Sequence, residues 1–99
     1  MIDLERIVGF DWDAGNARKN EQHGVTQSEA EQTFFDPRLL LVEDLKHSDD
    51  EMRFHALGVT ATGRRLHVTI TLRSDYTLIR VISARDMHRK ERSIYDQET

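Results

Sequence analysis

The most constraining feature of this sequence is a run of eight residues in which apolar and polar side chains alternate without exception. Its apolar members are Leu66, Val68, Ile70 and Leu72, and its polar members are His67, Thr69, Thr71 and Arg73. Successive side chains of a β-strand point to opposite faces of a sheet. The alternation therefore predicts a strand whose apolar face is buried against helices and whose other face is polar.

Further strand-like segments flank this one and are joined to it by turn signals. The predicted strands cover residues 39–42, 52–60 and 77–83, and a short opening strand covers 7–13. Gly63 lies in the connection Ala61–Arg64, as a tight hairpin requires, and Ser74–Tyr76 forms the next turn. The last strand is nearly all apolar apart from Arg80, which predicts a central strand covered on both faces.

Three helices are predicted from the residues at their ends. They are expected over 14–22, from Thr26 to about Phe35, and over 86–97. Asp13 can cap the first helix, and Gly24 can end it. Thr26 and Glu29 have the spacing of a capping box at the start of the second.

Together these elements predict an α+β domain with two N-terminal helices, an antiparallel β-meander of about four strands and a C-terminal helix. The helices are expected on one side of the sheet. A chain of 99 residues has the length of one compact domain, so residues 1–99 are predicted to form a single domain.

The absence of cysteine narrows the chemistry of the chain. It excludes a disulfide framework, a thiolate zinc site and a cysteine nucleophile. The five histidines lack the spacing of zinc motifs, and no P-loop, G-x-S-x-G motif or dinucleotide-binding fingerprint occurs. We therefore expect no metal and no cofactor. With no run of about 18 apolar residues and no signal-peptide pattern, a cytoplasmic location is predicted.

Charge is divided unevenly along the chain. Residues 1–50 carry twelve acidic and five basic side chains, whereas residues 51–99 carry six acidic and nine basic ones. If the basic side chains meet on one face, they could bind a phosphate backbone despite a net charge of -4. The alternative is that they simply solvate strand edges and a helix.

Short motifs stand in a characteristic order between about residues 8 and 96. They are Phe10-Asp11-Trp12-Asp13, His23-Gly24-Val25, Asp36-Pro37, His47-Ser48, Glu51-Met52-Arg53, Gly63-Arg64, Arg80-Val81-Ile82-Ser83-Ala84-Arg85, Glu91-Arg92 and Tyr95. In order and spacing these motifs resemble the BrnT family of toxins. The resemblance implies a fold similar to RelE-type ribonucleases, metal-independent RNA cleavage that inhibits translation, and neutralisation by a BrnA-like antitoxin with a ribbon-helix-helix DNA-binding domain.

Metal-free RNA cleavage needs a base for the 2′-hydroxyl, an acid for the leaving oxygen and fixed cations near the phosphate. Arginine suits the last role because its planar fork makes paired hydrogen bonds to phosphate. Arg53, Arg80 and Arg85 stand in the motifs and are the predicted catalytic cations, expected to converge in one groove. His23, at the end of the first helix, is a further catalytic candidate, and a helix C-terminal cap beside Gly24 is its alternative role.

Basic residues outside this set are the predicted RNA contacts. They are Lys19, Arg64, Arg89 and Lys90. Lys19 lies about one helical turn before His23 and could share its face. Arg89 is expected to share a face of the final helix with Arg85, four residues earlier.

Two alternatives stay open. The first is that Arg80 forms a buried ion pair with a carboxylate, for which the candidates are Asp11, Asp13 and Glu51. The second is that the domain has lost catalysis and only binds a DNA-binding antitoxin. Gln22 and Asp86-Met87 stand where the BrnT family usually has lysine and Lys-Ala, so two basic side chains are missing.

Overall fold

The computed structural model of the protein describes residues 3–47 and 51–98. In the described residues the strands are β1 Gly9–Phe10, β2 Leu40–Glu43, β3 Arg53–Val59, β4 Arg65–Arg73 and β5 Leu78–Asp86. The α-helices are α1 Ala14–Glu21, α2 Gln27–Gln32 and α3 Arg89–Gln97. Short 3-10 turns cover Leu4–Arg6, Thr33–Phe35 and Leu45–His47. The predicted α+β class and the order of the elements are confirmed.

The strands form one sheet in the order β1-β5-β4-β3-β2. Strands β2 to β5 make the predicted antiparallel meander, and β1 adds a fifth strand parallel to β5. The sheet is therefore mixed, and the estimate of about four strands is corrected to five. The last strand lies inside the sheet, as predicted, because β5 pairs with β4 on one side and with the short β1 on the other.

The register predicted from the alternation is confirmed. The side chains of Leu66, Val68 and Ile70 are fully buried on one face of β4. On the other face, Thr69 and Thr71 keep only 9% and 1% of their surface exposed. Both faces of this strand are thus covered, as expected of the middle strand of a sheet.

The main core lies between the sheet and the two N-terminal helices. Its buried members are Val25, Ala30, Phe54, Ala56, Leu66, Val68, Ile70, Ile79, Val81 and Ala84. Val25 comes from the connection between α1 and α2, and Ala30 comes from α2. This side of the sheet is the core face.

The third helix packs against the opposite face, so the expectation that all helices lie on one side was wrong. Leu57 of β3, Met87 and Tyr95 form a second buried cluster. Leu57 pairs in register with His67, which points away from the core face of β4. The hydroxyl of Tyr95 donates a hydrogen bond to Asp36 and fixes the end of α3 to the loop before β2. Apolar residues near the end of β3 thus give α3 a docking surface of its own.

The boundary between β5 and α3 differs from the prediction. The strand continues to Asp86, because Arg85 and Asp86 still have register partners in β4, and α3 begins only at Arg89. Arg85 is a strand residue, so the predicted helical relation between Arg85 and Arg89 was wrong.

The signals at the ends of the first two helices are confirmed. Asp13 caps α1 by accepting hydrogen bonds from the N–H groups of Gly15 and Asn16. Thr26 and Glu29 form the predicted capping box of α2. Gly24 has a φ of 70°, a left-handed conformation that glycine adopts without steric cost and that ends α1.

Candidate active site on the polar face of the sheet

The three central strands carry a set of polar side chains on the side opposite the core face, here called the polar face. Its members are Arg53 and His55 of β3, His67, Thr69 and Thr71 of β4, and Arg80, Ser83 and Arg85 of β5. The apolar cluster under α3 covers the end of this face near Leu57. All three arginines predicted to be catalytic therefore lie on one face of the sheet.

A β-bulge brings two of these arginines together. Arg80 and Arg85 are five positions apart, and in a regular strand an odd separation places side chains on opposite faces. The register between β4 and β5 shifts between Thr69 and Ile70, which leaves Ile82 as an extra residue in β5. Because of this extra residue, the side chain of Arg85 points to the same face of the sheet as that of Arg80.

The arginines occupy two positions along the polar face. Arg53 and Arg80 both pair with Thr71, one from each neighbouring strand, so their Cα atoms lie about 10 Å apart. Arg85 pairs with His67, four residues earlier on β4 and about 13 Å away along the strand. The three arginines thus share one face of the sheet, but Arg85 lies apart from the other two along it, and their convergence around a single phosphate stays a prediction.

Arg80 forms the ion pair that was its alternative role. Its guanidinium lies 2.9 Å from a carboxylate oxygen of Asp13 and 3.5 Å from one of Asp11, and its side chain is only 20% exposed. Glu51, the third candidate partner, pairs with Arg73 at 3.3 Å instead. Because Asp13 also caps α1, Arg80 fixes the start of this helix to β5.

Arg85 makes a two-point contact with Glu91 in the first turn of α3. Its two terminal nitrogens donate to the two carboxylate oxygens at 2.8 and 2.9 Å. The backbone N–H of His88 donates to the same carboxylate at 2.8 Å. Burial alone would raise the pKa of Glu91, but the hydrogen bonds from Arg85 and His88 outweigh it and lower this pKa to about 2.

His67 lies beside this ion pair. Its Nε2 is 3.6 Å from Oε2 of Glu91, and its side chain is 12% exposed. Burial, followed by the charge of Arg85, lowers the pKa of His67 to about 4, although Glu91 acts in the opposite direction. The imidazole is therefore neutral at neutral pH, and Glu91 is ionised.

His55 supports His67 from the neighbouring strand. The two ring centroids are 4.8 Å apart. Nε2 of His55 is 2.9 Å from a carboxylate oxygen of Asp44, and Nδ1 is 3.0 Å from the hydroxyl of Thr69. Contacts at both nitrogens fix the orientation of the His55 ring against His67.

The free energy of unfolding is expected to decrease as the pH falls from about 6.5 to about 4, with His67 contributing about 3 kcal/mol at most. The unfolded chain takes up a proton on this histidine in that interval, whereas the folded protein does not. Denaturant titrations at a series of pH values would measure the slope, and His67→Gln should reduce it. An unchanged slope in the variant would contradict the low pKa of His67.

Arg64, a predicted RNA contact, forms hydrogen bonds and ion pairs at the edge of the core face. Its guanidinium donates to the carbonyl oxygen of Gly24 at 2.9 Å and lies 3.1 Å from Glu29 and 2.8 Å from Asp86. Arg64 thus ties the turn between the first two helices to the ends of β4 and β5.

The other predicted site residues are exposed. Lys19 lies on α1, which packs against β5, and His23 follows α1 in the turn that leads to the core residue Val25. Both lie on the core-face side of the sheet. Arg89 and Lys90 are in the first turn of α3, close in sequence to Arg85 but pointing toward solvent.

The sequence interpretation missed the histidines and their carboxylate partners. His55 and His67 occupy polar positions of the two strands joined by the Gly63 hairpin, and pairing across this hairpin could have predicted that they are diagonal neighbours. Glu91 stands in one of the motifs, but nothing in the sequence pairs it with Arg85, which it reaches only through the placement of α3. Asp44 offered no comparable signal.

The described part of the chain contains neither a metal-binding group of side chains nor a helix that could span a membrane. Within residues 3–47 and 51–98, no three histidine, aspartate or glutamate side chains are grouped as they would be to hold a metal ion. None of the α-helices in these ranges is long and apolar enough to cross a bilayer. Ser48, which stands in one of the sequence motifs, lies outside these residues.

Comparison with known proteins agrees with the motifs. Residues 12–91 match the family model described as the ribonuclease toxin BrnT of type II toxin-antitoxin systems. The search of curated proteins found no match. The matched segment spans most of the chain and contains Arg53, Arg80, Arg85, His67 and Glu91. The protein therefore belongs to the BrnT family of ribonuclease toxins of type II toxin-antitoxin systems.

Proposed function

We propose that this protein cleaves RNA on its polar face without a metal ion and thereby inhibits translation. The observation that carries the proposal is the cluster of Arg85, Glu91 and His67, in which the carboxylate lies 2.8 Å from the guanidinium and 3.6 Å from the imidazole. Such groups supply the charge stabilisation and proton transfer that metal-free phosphodiester cleavage requires.

The contact between Arg85 and Glu91 indicates how a phosphate would bind. Carboxylate and phosphate both accept two parallel hydrogen bonds from the arginine fork. A phosphodiester of RNA would therefore replace the Glu91 carboxylate on Arg85 and lie beside His67. Arg53 and Arg80, farther along the same face, would attract the flanking phosphates of the strand.

The proposed partner is a BrnA-like antitoxin with a ribbon-helix-helix DNA-binding domain, without which we expect no direct binding to DNA. Support comes from the family, whose members belong to toxin-antitoxin pairs, and from exposed apolar side chains. Val8 and Phe35 are 80% and 79% exposed beside a groove that also includes Leu4. A protein interface of more than about 1,000 Å² would bury such residues.

One observation favours the second candidate function, a module that binds an antitoxin but has no catalytic activity. Arg80 and Arg85 are both paired with carboxylates, which reduce the positive charge that the polar face presents to RNA. A polar face with little net charge would bind RNA weakly.

Expression of the protein alone in a bacterial host separates the two candidates. The ribonuclease should arrest growth and lower protein synthesis, and the purified protein should cut single-stranded RNA in the presence of a chelator. Co-expression with the adjacent reading frame should restore growth and yield a complex that co-purifies. Normal growth and intact RNA would favour the binding module, and cleavage that a chelator abolishes would contradict metal independence.

A further inference from the structure

We propose that His67 accepts the proton of the attacking 2′-hydroxyl group and that His55 is a positioning residue that holds the His67 ring. The assignment rests on the proposed ribonuclease function. Neither histidine belongs to the sequence motifs. The support for the assignment is the arrangement of side chains around Arg85.

His67 lies next to Arg85 across two strands of the sheet. The two residues are register partners on adjacent strands and point to the same face. Nε2 of His67 lies 3.6 Å from the carboxylate oxygen of Glu91 that accepts from Arg85. A phosphodiester that replaces this carboxylate on Arg85 would bring its neighbouring ribose within reach of Nε2.

Two groups beside Arg85, Glu91 and His67, can accept a proton. Both carboxylate oxygens of Glu91 are held by hydrogen bonds from Arg85. In the free protein His67, with a pKa of about 4, is neutral and a stronger base than Glu91, whose pKa is about 2. A phosphate that takes Arg85 removes the hydrogen bonds that help keep the pKa of Glu91 low, so the Glu91→Gln variant must distinguish the two bases. The groups that face His67 are Arg85 from β5, His55 from β3 and Glu91 from α3, and Asp44 lies behind His55.

His55 holds the His67 ring from the neighbouring strand. Asp44 and Thr69 contact its two ring nitrogens, so the ring is fixed at both ends. Its ring centroid lies 4.8 Å from that of His67, with the ring planes tilted by 39°. A base that is held in one orientation by its neighbours loses less entropy when it meets the substrate.

The proposed step balances in atoms and charge. The 2′-oxygen forms a bond to phosphorus as its proton moves to Nε2 of His67, and the bond from phosphorus to the 5′-oxygen breaks. The leaving 5′-oxygen takes a proton from a water molecule, and His67 returns its own proton to the hydroxide that forms. The products are a 2′,3′-cyclic phosphate and a free 5′-hydroxyl.

The test measures cleavage of a fluorescent single-stranded RNA by the purified full chain between about pH 3 and 8, with circular dichroism to confirm folding at each pH. The kcat/KM of the unmodified protein should fall at acid pH through a value near 4, below the 6.5 of an ordinary histidine. His67→Gln should lower kcat at least about 100-fold and remove this acid limb.

Three further variants make the test specific. His55→Gln should move the acid limb to higher pH, because the charge of His55 lowers the pKa of His67; a purely structural role would leave the limb in place. Glu91→Gln should lower KM by weakening the competition for Arg85. Glu29→Gln is its matched control, because Glu29 has the same capping-box position and also pairs with an arginine, but on the core-face side.

The outcomes separate this assignment from the function on which it rests. If the unmodified protein cleaves no RNA, the ribonuclease proposal and the assignment both fail. If it cleaves RNA and folded His67→Gln is equally active, or if Glu91→Gln loses the activity instead, the assignment alone is overturned. If His67→Gln does not fold, the pH profile of the unmodified protein provides the test. An acid limb near pH 6.5 would contradict His67 as the base.

Discussion

Arg85→Lys is expected to lower the rate of RNA cleavage about 100-fold or more, which corresponds to about 3 kcal/mol of transition-state stabilisation. Lysine keeps the positive charge, but it cannot donate the two parallel hydrogen bonds that Arg85 now makes to Glu91. The loss should appear in kcat with purified protein and as reduced growth arrest on expression.

Arg65→Lys is the matched control for this variant. Arg65 is also a strand arginine that pairs with a carboxylate of α3, here Asp96 at 2.9 Å, but its side chain and that of Asp96 are 40% and 53% exposed. We expect it to retain its cleavage rate. Equal activity of folded Arg85→Lys and Arg65→Lys would show that phosphate does not bind at Arg85.

Ile70→Ala is expected to lower the free energy of unfolding by about 2 to 5 kcal/mol. Ile70 is fully buried in the middle strand, and its truncation removes apolar contacts and leaves a cavity between the sheet and the N-terminal helices. A domain of this size has a total stability of about 5 to 15 kcal/mol. Denaturant unfolding at neutral pH would measure the loss.

Val42→Ala provides the comparison for the core substitution. Val42 is also a β-branched strand residue, but it is 57% exposed, so its truncation should change stability by no more than about 0.5 kcal/mol. Similar losses in the two variants would contradict the buried position of Ile70 and with it the register of β4.

Features that depend on neighbours in the sequence were predicted well. The alternation from Leu66 to Arg73 predicted the buried face of β4, because strand geometry alone sends successive side chains to opposite sides. The caps of α1 and α2 were predicted because a cap is completed by groups within three residues of it. The end of β5 was misplaced, since only pairing with β4 keeps Arg85 and Asp86 in the strand.

The candidate site was predicted in its residue types more than in its geometry. The motifs pointed to Arg53, Arg80 and Arg85, and all three lie on the polar face. His23 was chosen for its place at a helix end, yet it lies on the core-face side. His67 was counted only as one polar residue of an alternating strand, because nothing nearby in the sequence indicates its contact with Glu91.

The sequence by itself determined which segments become strands and helices, which face of β4 is buried, and to which family the motifs point, because these features follow from side-chain periodicity, local capping and residue order. Only the tertiary structure decided the geometry of the candidate site and brought His67 into it. The extra residue Ile82 places Arg85 on the same face as Arg80, and the docking of α3 brings Glu91 to Arg85 and His67. A register shift and a helix docking position depend on packing between segments distant in the chain, so no local pattern encodes them.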